Sequence, residues 1–199
     1  MSSPTPLPAP AVPTPRAAET AARRRRLLEA AVELAAEGGY DSVQMRDVAA
    51  RAGVALGTLY RHYSSKDQLL LAALADQAGE LRARLAQRPP RGDDPGDRVA
   101  DVLRRATRAL TRDPSISAAM VTALASPESE AAAAKHEVYE ILRTIISGAI
   151  DGAEVPDLDG IVRVLGYVWM ATLSAWVGGM LDADGMADDL AIAAHLLLD

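Results

Sequence analysis

The sequence predicts an all-α protein, on three observations. Apolar residues recur at spacings of three and four in one segment after another, and nowhere alternate as a half-buried strand requires. The segments are separated by Gly-Gly, Gly-Val, Pro-Pro and acidic Pro-containing stretches, which stop and start helices. With 199 residues and 49% hydrophobic content, the chain is long enough to bury a sizeable core.

The first fifteen residues, "MSSPTPLPAPAVPTP", lack a backbone donor at six positions and have no apolar face, so residues 1–18 read as a disordered Pro-rich arm. From about Glu19 a helix is expected, with Leu27, Leu28, Ala31, Val32, Leu34 and Ala35 on one face until Gly38-Gly39 stops it. Two short helices follow, about 45–52 and 55–62, then a long one capped by Ser64 or Ser65. "RPPRGDDPGD", 88–97, reads as a loop.

Beyond the loop, Val99, Val102, Leu103, Ala106 and Leu110 form one stripe of an amphipathic helix whose other sides carry Arg98, Arg104, Arg105, Arg108 and Arg112. "DPS" at 113–115 starts a short helix, and "SPESE" at 126–130 starts a longer one through Val138, Ile141, Leu142, Ile145, Ile146 and Ala149. "DGAEVPD" ends that helix. The segment 157–181 is apolar nearly all round and must be covered on several sides; with the last helix, about 186–198, it either pairs with its copy across a two-fold axis or is the buried centre of a monomer.

The absence of cysteine removes disulfides and thiolate chemistry and suits a reducing cytoplasm. The N-terminus has neither the basic start nor the continuous apolar core of a signal peptide. No stretch is expected to span a membrane, because Arg163 and Asp182 bound the longest apolar candidate. The net charge of −6 is unevenly distributed: residues 1–66 carry nine Lys and Arg against six Asp and Glu, and the remainder twelve against twenty-one. Phosphate attraction is screened beyond about 10 Å, so the basic head stays open to a nucleic acid despite the acidic body.

Two short helices joined by a tight Gly-containing turn, in "DVAARAGVALGTLYRHYSSKDQLL" (47–70), are a helix-turn-helix, whose second helix enters a major groove. Met45, Val48, Ala49 and Ala52 make its inner side, Val54 and Leu59 plug the junction and Tyr63 closes it. Ala55, Leu56, Gly57, Thr58, Tyr60 and Arg61 then face outward, and Gly57 lets the backbone approach duplex DNA closely. Thr58 can meet a phosphate or a thymine methyl, Leu56 a thymine methyl, and Arg61 a phosphate or guanine. Tyr60, His62, Lys66, Gln44 and Arg46 suit the phosphate backbone. "RRRR" at 23–26 spreads around a full helical turn, so at most two can face one groove; the run is either a phosphate contact or a solvated helix start.

"MRDVAARAGVALGTLYRHYSSKDQLLLAAL" resembles the DNA-binding domain of the TetR family of bacterial one-component repressors, with Ala55 where the family usually has a capping Ser and Tyr63 where it usually has Phe. The resemblance implies an N-terminal three-helix domain with the helix-turn-helix, about 19–66, and a C-terminal helical ligand-binding and dimerisation domain, 67–199. It also implies a homodimer bound to a palindromic double-stranded operator and released by a small-molecule inducer. "AAMVTALASPESEAA" and "IVRVLGYVWMATLSAWVGGM" are similar to a branch of that family that represses sterol catabolism, which implies a CoA thioester of a steroid-derived acid or another acyl-CoA as inducer.

A pocket in such a domain is mostly apolar with a few polar anchors, and Met120, Val121, Leu124, Tyr139, Leu142, Trp169, Met170, Leu173 and Trp176 are its candidate walls; each is equally readable as ordinary core. The arginines between 98 and 112 either meet the phosphates of a CoA ligand or form a solvated face. No catalytic constellation is expected: the histidines at 62, 136 and 195 are scattered, and no Gly-rich phosphate loop occurs. His136 and Glu140 lie four apart but make an incomplete metal site, so neither metal nor cofactor is implied. The alternative from another class is a helical lipid or acyl-CoA binding protein that does not bind DNA.

Overall fold

The computed structural model describes residues 14–127, 131–150 and 155–198, and these are helical with no strand. The elements are α1 (Pro15–Ser42), α2 (Met45–Arg51), α3 (Leu56–Tyr60), α4 (Lys66–Gln87), α5 (Pro95–Leu110), α6 (Pro114–Ala125), α7 (Ala132–Ile150), α8 (Leu158–Val177) and α9 (Ala183–Leu198).

The helix starts follow capping chemistry. The hydroxyls of Thr14 and Ser65 accept the amides of Ala17 (3.3 Å) and Gln68 (3.2 Å), and Pro occupies the first turn of α1, α5 and α6, where its missing N–H costs nothing. Asp94, Asp113 and Asp157 cap α5, α6 and α8 in the same way. Three boundaries move. Helix α1 begins at Pro15, so residues 15–18, expected in the arm, are helical because Thr14 caps them; residues 1–13 lie outside the described residues. The loop after α4 is only 88–94, since Asp94 and Pro95 already open α5, and Asp182 starts α9 ahead of the expected 186. The capping stretch expected before α7 lies partly, at 128–130, outside the described residues, as do the first four residues of the break after it.

Gly38 and Gly39 do interrupt α1, with φ +69° at Gly39, a conformation that disfavours a side chain. The chain continues through one more turn to Ser42, whose single hydroxyl proton is within hydrogen-bonding reach of the carbonyls of Leu34 and Gly39 and can serve one of them at a time.

Two cores result. One joins α1–α3 and the first half of α4 to α6 and the start of α7, through Leu27, Ala31, Val48, Leu59, Leu69, Leu70, Met120 and Ala123. The other joins the end of α4 to α5, α7, α8 and α9, through Leu103, Ile146, Leu165, Met186 and Leu190. The packing boundary therefore does not fall at residue 66. Residues 69–73 of α4 are all buried, and the long α1·α6 seam binds the head to the body.

By length and composition alone α8 is long and apolar enough to cross a membrane, a test that a core helix also meets, because Asp159 and Arg163 near one end are too few charges to offset its apolar remainder. Here Ile161, Val162, Leu165, Trp169 and Leu173 of α8 pack into the second core.

Candidate nucleic-acid interface and ligand cavity

Helix α2 packs on α1 and α3 packs on α2, which leaves one side of α3 exposed. Leu59 and Tyr63 are buried, Gly53 takes φ +65° in the turn, and the Val54 amide donates to the Ala49 carbonyl (3.0 Å). Ala55 sits at the cap position of α3 without a side-chain hydrogen bond, so the departure from the usual Ser leaves an α3 amide without that acceptor. The Tyr63 departure has a partner: Arg24 Nε donates to Tyr63 Oη (3.2 Å), tying α1 to the end of the motif. That bond raises the Arg24 pKa above its ordinary value, while burial raises that of the Tyr63 phenol.

Of the residues expected at DNA, Gln44, Arg46, Ala55, Leu56, Gly57, Tyr60 and Arg61 are exposed, and Thr58, His62 and Lys66 are half-buried. Tyr60 and Leu56 are 50% and 37% exposed, conspicuous for large apolar groups on an otherwise polar surface. No Cβ added at Gly57 would meet another atom, so its bareness serves nothing inside this chain. Arg61 donates to Thr58 Oγ1 (3.0 Å) and Gln44 to the Asp41 carbonyl (2.8 Å), which pre-orients both side chains.

Lys66 is committed differently from the expectation. Its Nζ lies 3.6 Å from the centre of the Tyr40 ring and donates to the Tyr40 carbonyl (3.3 Å), while Tyr40 Oη donates to the buried Asp67 carboxyl (2.5 Å). Sequence reasoning missed this Tyr40–Lys66–Asp67 brace, because no local pattern links residues on either side of the motif.

The four arginines all have partners. Arg23 pairs with Glu19 (2.8 Å), Arg25 with Glu29 (3.3 Å) and Arg24 with Tyr63, and Arg26 donates to the Ala52 carbonyl (3.3 Å). Arg23 and Arg26 nevertheless border one cleft with Arg61, Thr58, Gly53 and Ala55, giving the head three guanidinium groups beside the start of α3. Arg51, at the end of α2, makes a forked pair with Glu37 (2.6 and 3.2 Å), which raises the Arg51 pKa and lowers that of Glu37.

In the body, α4–α8 enclose a cavity of about 200 Å³. A single water needs roughly 10–15 Å³ by such a measure, so this space holds far more than one water. Met120, Val121, Leu124, Tyr139, Leu142, Trp169, Met170 and Leu173 all line it. Trp176 is not among the described wall residues; it packs against the second core near the end of α8. The walls also include Leu74, Gln77, Ala78 and Leu81 of α4, a stripe at helical spacing that is not among the expected wall residues, because small and polar side chains there carry no signal of a pocket. Lys135 is the charged wall residue, and its Nζ donates to the Ser126 carbonyl.

Two of the arginines of α5 tie it to other segments, while Arg108 is exposed. Arg98 donates to the carbonyls of Ala149 (2.8 Å) and Ile150 (3.1 Å) at the end of α7, and Arg105 donates to those of Arg88 (2.7 Å) and Pro89 (3.2 Å). Both are held by carbonyls that the helix ends leave open, which neither expectation for this run included. His136 and Glu140 are exposed and 4.0 Å apart. Asp94, Asp97 and His195 also bring ligand atoms within 4.8 Å, but Asp94 is already the cap of α5.

On the far side, exposed Val164, Tyr167, Ala171, Ser174 and Gly178 form one stripe along α8, and Ile192 and Leu196 do the same on α9. Tyr167 and Leu196 are 67% and 80% exposed.

Residues 27–73 match the family described as bacterial regulatory proteins, tetR family, and residues 92–197 match the tetracyclin repressor-like C-terminal domain. The chain is similar to the HTH-type transcriptional repressor KstR of Rhodococcus jostii, at 38% identity over 88% of this chain and 82% of the relative. It is also similar to a crystal structure of a TetR transcriptional regulator from Rhodococcus sp. RHA1, with TM-score 0.82, 35% identity and coverage of 90% of this chain and 97% of that one. The FadR regulator of Bacillus subtilis, solved in complex with stearoyl-CoA, shares the fold at TM-score 0.64 and 21% identity, over 88% of this chain and 97% of that one.

Proposed function

Since the chain belongs to the TetR family, as a KstR-like transcriptional repressor and not an enzyme, we propose that it binds a palindromic operator as a homodimer and leaves it when an acyl-CoA thioester occupies the cavity. The CoA thioester of a steroid-derived acid is the favoured inducer, and genes of sterol or related lipid breakdown are the favoured targets. An operator-binding role places the protein with the chromosome in the cytoplasm. The observation that carries the reading is that α4 belongs to both sites: it lines the cavity with Leu74, Gln77, Ala78 and Leu81 and begins at Lys66, beside the reading helix.

In this reading α3 enters the major groove. Leu56 and Thr58 meet base edges, Gly57 and Ala55 let the backbone come close, and Arg61 reads guanine or holds a phosphate. Tyr60, His62, Gln44 and Arg46 hold phosphates, while Lys66 adds charge at the start of α4. Arg23 and Arg26 add positive potential beside them. The stripes on α8 and α9 pair across the two-fold axis and set the two α3 helices one DNA turn apart, about 34–36 Å.

Ligand in the cavity displaces α4, and with it α6, which shares Met120 and Ala123 with the core under α1. The spacing of the reading helices then no longer fits the operator, so ligand and DNA are reciprocally antagonistic. Support for an acyl-CoA comes from the apolar walls and from stearoyl-CoA in the FadR structure. The test is fluorescence anisotropy on the DNA upstream of the protein's own gene, with palmitoyl-CoA and with a steroid-derived acyl-CoA. An operator Kd raised about 5- to 150-fold by either is expected; equal affinities with and without both defeat the proposal.

A further inference from the structure

Arg24 stands at the edge of the head core. On α1 it lies three and four residues before Leu27 and Leu28, both in that core, and its Nε donates to Tyr63 Oη (3.2 Å). Tyr63 in turn closes the end of α3: its ring is buried and its amide donates to the Leu59 carbonyl (2.9 Å). Whatever holds the Tyr63 ring therefore holds the last turn of the reading helix.

Two carboxylates share this edge. Asp76 on α4 and Glu137 on α7 each lie three residues beyond a residue of the same core, Ala73 and Ala134, and so continue that residue's face one turn further along. Helices α4 and α7 pack along one another. Both acids are exposed, and neither makes an ion pair or hydrogen bond among the described residues. Their charges nevertheless reach Arg24: the Tyr63 bond is the largest cause of its raised pKa, and the negative charges of Glu137 and Asp76 add to it. The same two helices are cavity walls, with Leu74 and Gln77 flanking Asp76, and Lys135 and Val138 flanking Glu137.

From this juxtaposition we propose that Arg24 is a positioning residue of the reading head: its Nε holds Tyr63 while its other N–H groups are drawn by Asp76 and Glu137, so that two cavity walls set how firmly α3 is held. A guanidinium presents five donors in a fixed fork, so one cation serves Tyr63 and faces both acids at once; an ammonium has the charge without the fork. The inference rests on the cavity being the inducer site and deepens the proposed switch, adding α7 to α4 as a wall with a direct line to α3. Because the acids are exposed and lie beyond ion-pair distance of Arg24, their pull is weak and screened by salt, and it changes when α7 moves.

The test is hydrogen exchange on the full chain, read at the amides of residues 58–63 against those of α9 as an internal reference. Glu137→Gln and Asp76→Asn are each expected to speed exchange at 58–63 roughly 1.5- to 5-fold at low salt, the range of one exposed ion pair. Neither is expected to act in 1 M NaCl, where screening sets in within about 3 Å. Tyr63→Phe is expected to speed exchange in both salts and to abolish the further effect of Glu137→Gln. Glu140→Gln, one turn further along α7 and beside His136, is the control and is expected to change nothing. Equal effects of Glu137→Gln and Glu140→Gln, no acceleration by Glu137→Gln or by Tyr63→Phe, or a Glu137→Gln effect that survives 1 M NaCl or Tyr63→Phe overturns the proposal. Neither DNA nor ligand is present, so failure of acyl-CoA to release the operator would sink the proposed switch without touching this result.

Discussion

Tyr40→Phe is the perturbation that most directly tests how the reading head is braced. It removes the hydroxyl that donates to Asp67 at 2.5 Å, and Asp67 is 1% exposed, so water cannot replace the lost donor without opening the joint between α1 and α4. A hydrogen bond to a carboxylate in such a place contributes about 1.5–3 kcal/mol. In a chain of this size each kcal/mol moves Tm by about 2–4 °C, which puts the expected loss at roughly 3–12 °C. Tyr63→Phe is the control. Its partner Arg24 is exposed and rehydrates, so the cost is nearer 0.5–1 kcal/mol, or at most about 4 °C. The assay is thermal unfolding by circular dichroism at one fixed protomer concentration, because association shifts Tm by mass action. A Tyr40→Phe shift no larger than that of Tyr63→Phe would refute the reasoning that burial of the acceptor, and not the bond itself, sets the cost.

Ala55→Ser supplies the side-chain cap that α3 lacks and should stabilise the protein by about 1 kcal/mol, read as a rise of about 2–4 °C in Tm; no rise would mean that the α3 amides are already served. Tyr60→Ala should weaken binding to all DNA sequences alike, whereas Leu56→Ala should change the ranking among operator variants; a changed ranking with Tyr60→Ala in anisotropy titrations would reverse those roles. Leu196→Asp places a charge on the exposed apolar stripe of α9, 80% accessible in one chain, and should yield monomers in sedimentation while leaving helicity intact. An unchanged dimer would move the interface elsewhere.

Local signals carried far in this chain. The turn Gly53, the buried Leu59, the cap Ser65 and the stop at Gly38-Gly39 are short-range statements about backbone and periodicity, and each stands where the pattern puts it. Eight of the nine suggested wall residues share one cavity, because bulky side chains on successive helices converge wherever those helices pack. The exceptions are non-local. Trp176 lies on the same helix as Trp169, but seven residues further along, past the end of the cavity, and composition cannot register that distance. Helix α4 shows no pocket-forming pattern in sequence and becomes a wall only when α7 packs along it. Arg98 and Arg105 look like a solvated face until the carbonyl ends of other segments arrive beside them.

By itself, then, the sequence determined that the chain is helical, where most helices begin and end, and that a compact pair near the N-terminus leaves a glycine-bearing edge exposed. These follow from periodicity, capping and turn chemistry, which act over a few residues. Tertiary structure alone decided that the first half of α4 joins the core of the head, that Tyr40, Lys66 and Asp67 form one brace, and that Trp169 becomes part of a cavity wall. Such outcomes depend on which helices meet, and residues separated by dozens of positions meet for reasons of packing that no local pattern encodes.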